Sequence, residues 1–201
     1  ATLGILALLF YGLNATSSRG GILALLAGLA VYCIVRFGRR GILVIGLGGP
    51  MLLAVFAGRQ ADFDISGGSG QARIHLWDTY LGLAMSHPVS GIGCNNWFEY
   101  DRQVAHNSFL FGFAELGAPG GILFAGAFYA AFQSLRRVHV HLTAHAPGLA
   151  KMSPCLIALL ASLVLGMMSL TWTYLIPAYW TLALTTAYIH QAISRVRIGA
   201  P

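Results

Sequence analysis

Gly20-Gly21-Ile22-Leu23-Ala24-Leu25-Leu26-Ala27-Gly28-Leu29-Ala30-Val31-Tyr32-Cys33-Ile34-Val35 runs without a charge. Arg36-Phe37-Gly38-Arg39-Arg40 follows, and then a second apolar run, Gly41–Ala57. Two apolar runs joined by a short basic turn form the pattern of two membrane helices connected on the cytoplasmic side. Further runs lie at Leu3–Leu13, Gly120–Leu135, Cys155–Leu170 and Tyr174–Ile189. Several are a little short for a hydrocarbon layer about 30 Å thick, so flanking residues must contribute. No ten-residue stretch alternates polar and apolar side chains, which argues against an outer-membrane barrel. Lipid demands that the backbone satisfy its own hydrogen bonds, which leaves helices. The expected fold is an all-α, polytopic membrane helix bundle of about six spans.

Composition agrees. Of 201 residues, 57% are apolar and 9% are charged, against about 25% charged in a soluble domain. Mean hydropathy is +0.70. An ordinary soluble enzyme and a disordered chain are both excluded. Ala1 leads directly into an apolar run, with no basic segment before it and no small-residue cleavage site after it, so no signal peptide is read. The expectation is the C-terminal part of a longer chain, folded as one membrane unit over 1–201, with its last two spans within 152–190.

Charge placement orients the spans. Arg36, Arg39, Arg40, Arg136, Arg137, Lys151, Arg195 and Arg197 occupy alternate connections, with no acid among them. Arg19, Arg59, Arg73 and Arg102 occupy the others, with all six acids: Asp62, Asp64, Asp78, Glu99, Asp101 and Glu115. The positive-inside rule makes the first set cytoplasmic and the second exoplasmic. The formal charge of +6 thus reads as topology, not as nucleic-acid binding.

One exoplasmic loop is long, 58–105, and loops of that length are usually functional or disordered. After a flexible lead, Asp64–Gly70, Gln71 to Ser86 reads as an amphipathic helix, with Ile74, Trp77, Leu81 and Ala84 on one stripe. His87-Pro88 ends it, and Ser90-Gly91-Ile92-Gly93 is a tight turn. Trp97, Phe98 and Tyr100 form an aromatic group suited to the membrane interface or to stacking on a sugar. His106 to Leu116 reads as a short outer helix, broken by Glu115-Leu116-Gly117-Ala118-Pro119-Gly120 before the next full span. Pro50 and Pro177 are expected to kink their spans, and the Gly117/Gly121 spacing is a weak signal for close helix packing. No internal repeat is found.

Candidate chemistry gathers on the exoplasmic side. Arg19, Arg73 and His106 come from distant segments, yet the topology brings them to one face. Alone, each arginine reads as an interfacial anchor or lipid-phosphate contact, and His106 as an interface residue. Together, two guanidinium forks suit a di-anionic phosphate, and a histidine titrating near neutrality suits removal of a hydroxyl proton. Asn107 offers an amide beside His106. Glu115, an acid in an apolar stretch, is expected to be paired or functional. His139, His141 and His145 lack a neighbouring Cys or acid and make a poor metal set. Cys33, Cys94 and Cys155 form no disulfide framework. The loop acids could include a glycosidase-like pair, though most read as solvated charges.

These residues, in order, resemble the O-antigen ligase/polymerase family of bacterial inner-membrane glycosyltransferases. The resemblance rests on Ser18-Arg19-Gly20-Gly21, on Arg73 with Trp77, on His87-Pro88-Val89-Ser90-Gly91-Ile92-Gly93, and on Ala105-His106-Asn107-Ser108-Phe109-Leu110 with Glu115-Leu116-Gly117 and Gly120. It spans roughly 14–130. It implies transfer of a glycan from undecaprenyl pyrophosphate to an acceptor hydroxyl at the periplasmic face, with no metal or other cofactor. The family's arginines and histidine map onto Arg19 and Arg73, which would neutralise pyrophosphate, and onto His106, which would act as base or position the acceptor. Trp77, Asn107 and Glu115 would support substrate binding. The front half of the usual family chain is missing, and the stretch from Gly93 to His106 is short. The acceptor stays open among lipid A core, a second glycan (a polymerase) and a protein hydroxyl. A transporter or non-catalytic scaffold is the competing class. Transporters place ionisable groups near the midplane, whereas these spans hold almost none.

Overall fold

The computed structural model describes residues 2–16, 18–57, 69–145, 147–171 and 173–198. The flexible lead expected at Asp64–Gly70 falls largely outside them, as do Arg59, Asp62 and Asp64. The elements are α1 (Thr2–Ala15), α2 (Arg19–Phe37), α3 (Arg39–Ala57), α4 (Ser69–Ser86), a 3₁₀ turn (Trp97–Glu99), α5 (Ser108–His145), a short α6 (Pro147–Ala150), α7 (Ser153–Met167) and α8 (Ile176–Ile198). No strand occurs among the described residues. Every apolar run of the sequence is helical over most of its length. By length and apolarity alone, three stretches suffice to cross a membrane: Gly20–Phe37, Ser108–Leu142 and Gly148–Met167. The helices α1, α3 and α8 match the remaining runs in place. Leu47, Leu123 and Trp180 point outward, 82%, 75% and 69% exposed, as side chains facing lipid do.

Small residues let α2 lie against α7. Gly20, Ala24 and Gly28 recur every fourth residue on α2, and Ala158, Ser162 and Gly166 recur likewise on α7. A Cβ on Gly28 would sit 2.9 Å from the Ser162 Cβ, and one on Gly20 would sit 2.4 Å from the Ser169 Oγ. Without a hydrophobic drive between helices in lipid, such close backbone approach and its dispersion contacts hold the pair. The Gly117/Gly121 spacing plays no such part. Gly117 takes a non-helical conformation at φ 67°, and a Cβ on Gly121 would meet the ring of Phe113 in the same element.

The bundle has two distinct ends. At one, Val31 and Val35 of α2 pack with Leu135 and Leu142 of α5, Ile157 of α7, and Tyr188 and Ala192 of α8. Arg36, Arg136, Arg137, Lys151 and Arg195 flank this cluster in sequence. The opposite end gathers the starts of α2 and α5, the end of α7 and all of α4. The charge segregation read from the sequence thus coincides with a segregation in space.

Two expectations are corrected. Pro177 kinks nothing, because it lies in the first turn of α8, where its missing N–H would be unpaired anyway. In α4 the inward stripe is Leu76, Tyr80, Leu83 and Ala84. Ile74 and Leu81 are left 60% and 50% exposed. The helix carries two apolar stripes, and the one that buries lets Trp77 and Tyr80 place their polar tips on backbone carbonyls.

Gly28→Leu should therefore destabilise the protein by about 1–3 kcal/mol, the usual cost of overpacking. Gly46→Leu, on a helix surface where an added Cβ meets nothing within 4 Å, should be near neutral. Thermal melting of the detergent-extracted protein distinguishes the two.

Candidate functional site

A break in α5 organises this end of the molecule. Gly117 leaves helical geometry, and Pro119 has no N–H to donate to the carbonyl of Glu115. The turn after α4 supplies the missing partners. Ile92 N–H donates to the Ala114 carbonyl at 2.9 Å and Gly93 N–H to the Glu115 carbonyl at 3.0 Å, while Ala118 N–H donates to the Pro88 carbonyl at 2.7 Å. The approach requires glycine on both sides. Gly91 sits at φ 66°, and its Cβ would lie 2.2 Å from the Glu115 carbonyl oxygen. A Cβ on Gly117 would lie 2.4 Å from that of Val89. The 87–93 turn and the 115–120 break are thus two halves of one joint.

Glu115 is buried within that joint. One carboxylate oxygen accepts the Asn95 N–H at 2.9 Å, and the other accepts the Tyr174 hydroxyl from the α7–α8 connection. The expectation that this acid is paired holds, and its partners come from both flanks of the joint.

His106 is positioned by its neighbours. Trp77 Nε1–H donates to the Ala105 carbonyl at 3.0 Å, and the Tyr80 hydroxyl donates to the Gln103 carbonyl at 3.0 Å. Tyr80 is fully buried and stacks near Phe111 with ring centroids 5.7 Å apart. Asn107 caps α5, its Oδ1 accepting from Phe109 N–H at 3.1 Å and Leu110 N–H at 3.2 Å. Between these fixed neighbours, His106 adopts the left-handed region at φ 49°, which is uncommon for a non-glycine residue. Such departures collect at functional sites. The imidazole is partly buried. Burial, and then the positive charge of Arg73, hold its pKa below the ordinary histidine value. Arg73 lies on the exposed side of α4.

The third predicted cation enters through the backbone. Ser18 caps α2, its Oγ accepting from Gly21 N–H at 3.1 Å, and Gly20 rests against Ser169. Ser108, two residues after His106, donates to the Leu170 carbonyl at 2.6 Å, and Thr173 donates back to the Ser108 carbonyl at 2.9 Å. The 169–173 connection thus touches the start of α2 and the start of α5 together. Arg19, first residue of α2, belongs to the same end as His106, although its side chain lies outside the described residues.

Arg73 on α4 and His106 before α5 lie at one end of the bundle, where the Arg73 charge adds to burial in lowering the His106 pKa, and Arg19 is brought to that end by its backbone. Trp77, Asn107 and Glu115 each make their bonds within the protein. Tyr80, Asn95, Ser108, Thr173 and Tyr174 also build the site and were missed in the sequence. Their roles depend on contacts between distant segments, which leave no local pattern. His139 bonds Ser153 Oγ at 2.5 Å, and among the described residues no three His, Cys, Asp or Glu side chains assemble into a metal site.

Tyr174→Phe would leave the buried Glu115 carboxylate with one partner fewer. It should destabilise the protein by about 1–3 kcal/mol, read as a lower melting temperature in detergent.

A family model described as O-antigen ligase matches residues 4–125. No curated protein and no solved structure matches the chain. The matched stretch contains Arg19, Arg73, Trp77, both halves of the joint, His106 and Glu115, and covers more than half of the 201 residues. The chain belongs to the O-antigen ligase family, which points to a membrane glycosyltransferase role in surface polysaccharide synthesis.

Proposed function

We propose that this protein transfers a glycan from undecaprenyl pyrophosphate to an acceptor hydroxyl at the periplasmic face of the bacterial inner membrane. The observation that carries the reading is a His106 whose left-handed backbone is held on both sides, at the end of the bundle that also carries Arg73. The acceptor hydroxyl attacks the anomeric carbon, its proton passes to the neutral imidazole, and the bond to the lipid pyrophosphate breaks. A base kept neutral near pH 7 is what this step needs. Arg73, with Arg19, meets the charge developing on the leaving pyrophosphate. The start of α5, immediately after His106, adds the positive end of a helix dipole. Trp77 and Asn107 act as positioning residues, because their polar atoms hold the backbone on either side of the histidine, and Glu115 does so less directly, by tying Asn95 and Tyr174 to the joint.

Complementation of a strain lacking the gene tests the reading, with His106→Asn beside wild type at matched expression. Asparagine tolerates the left-handed backbone but is not a base. The expected result is a loss of about 10²–10⁴-fold in transfer, with the lipid-linked glycan accumulating. Full activity in the variant overturns the assignment and reopens the transporter and scaffold readings. Banding of the surface glycan separates ligase from polymerase, and glycan on a protein identifies an oligosaccharyltransferase.

The pH profile is a second test. Since the Arg73 charge lowers the His106 pKa, the neutral base persists to lower pH than an ordinary histidine allows. Arg73→Gln should move the acid limb of the rate profile to higher pH in reconstituted vesicles, whereas Arg73→Lys should leave it in place. An unmoved limb in Arg73→Gln would break the link between these residues.

A further inference from the structure

Two hollows lie end to end between α2, α5 and α7. The larger, about 450 Å³, is walled by residues such as Ala27, Phe128, Leu160 and Val164. The smaller, about 340 Å³, continues along the same three helices past Val31, Val35 and Ile157, and ends at Arg136 and His139. Phe132 lines both. The result is an apolar furrow that closes on polar groups at one end only, the basic end of the bundle. His139 is already bonded to Ser153, which leaves the exposed Arg136 as the cation at the mouth.

The position of that cation is informative. Arg136 lies 18 residues beyond Ala118, about 27 Å along α5 at the helical rise of 1.5 Å per residue. That distance is close to the thickness of the hydrocarbon layer, so a membrane boundary at the α5 break would set the guanidinium at headgroup level on the other side, with the furrow running back into the apolar layer. Arg36, Arg137 and Lys151 lie at the same end, and every described acid (Asp78, Glu99, Asp101 and Glu115) belongs to the opposite one.

We propose that this furrow is a binding site for an anionic phospholipid of the leaflet on the basic side. Its phosphate pairs with Arg136, and an acyl chain lies along Val31, Phe132 and Ile157. Basic pockets between helices on this side of a membrane are suited to such headgroups. The charged mouth is at the opposite end of the bundle from His106, which separates this site from the one assigned to the glycan donor. The inference does not depend on the transferase reading.

The test is lipid retention by the full chain purified in mild detergent, titrated with phosphatidylglycerol or phosphatidylethanolamine and followed by native mass spectrometry. Wild type should retain phosphatidylglycerol in preference. Arg136→Gln should weaken retention about fivefold, the worth of one cation near an anionic surface. Val31→Trp, which fills the furrow without changing charge, should abolish it, and Arg137→Gln should change nothing. Equal weakening by Arg136→Gln and Arg137→Gln would reduce the site to a diffuse basic surface and overturn the proposal. Equal retention of phosphatidylethanolamine, or displacement by undecaprenyl phosphate at lower concentration, would overturn it as well.

Discussion

Inside a bundle bounded by lipid, a backbone N–H or carbonyl has no water to turn to. This constraint bears hardest on α5, which carries both a glycine in a non-helical conformation and a proline two residues later. The chain meets it by bringing a second segment, the turn at 88–93, against the gap so that each freed carbonyl finds a donor. The docking of α4, the placement of the 103–106 backbone and the burial of Glu115 all follow from closing that gap. A continuous α5 would need no such partner and would offer no seat for the loop.

The second organising contact is steric. Glycine, alanine and serine on facing stripes let α2 and α7 approach until backbone atoms of one helix lie near side-chain atoms of the other. The tightest contact is just past the end of α7, where Gly20 meets Ser169. Because Ser18 caps α2 and Ser108 bonds to Leu170, that one contact determines where α2 begins relative to where α5 begins. Geometry relevant to chemistry is thus set by residues with almost no chemistry of their own.

Much of this was legible in the sequence, and what was not has physical causes. The helices, and the gathering of basic residues at one end and acids at the other, could be read because hydropathy and arginine placement are local properties. The break at Gly117 could be read because glycine and proline act on their own backbone. Buried Glu115 announced itself by its cost in an apolar stretch, but nothing near it named Tyr174, which lies 59 residues away. The stripe read on α4 was right for Trp77 and Ala84 and wrong for Ile74 and Leu81, because two apolar stripes compete on that helix. The decision between them rests on carbonyls at Gln103 and Ala105, which periodicity does not contain. Asn107 was read as a partner for the histidine or a sugar, while its oxygen caps α5, a role the following helix start could have suggested.

Tyr174, Thr173 and Leu170 lie beyond the stretch that matches the family, which ends at residue 125. Yet they supply partners to Glu115 and Ser108 within it. The boundary of recognisable similarity is therefore not a boundary of structural independence. A chimaera joined at residue 125 would carry every matched motif and still lose the native partners at Leu170, Thr173 and Tyr174 that hold Ser108 and Glu115. Exchange of parts among such proteins is better made by keeping 87–175 as one piece, which holds both halves of the joint and the partners of Ser108 and Glu115, than by following the limits of the family.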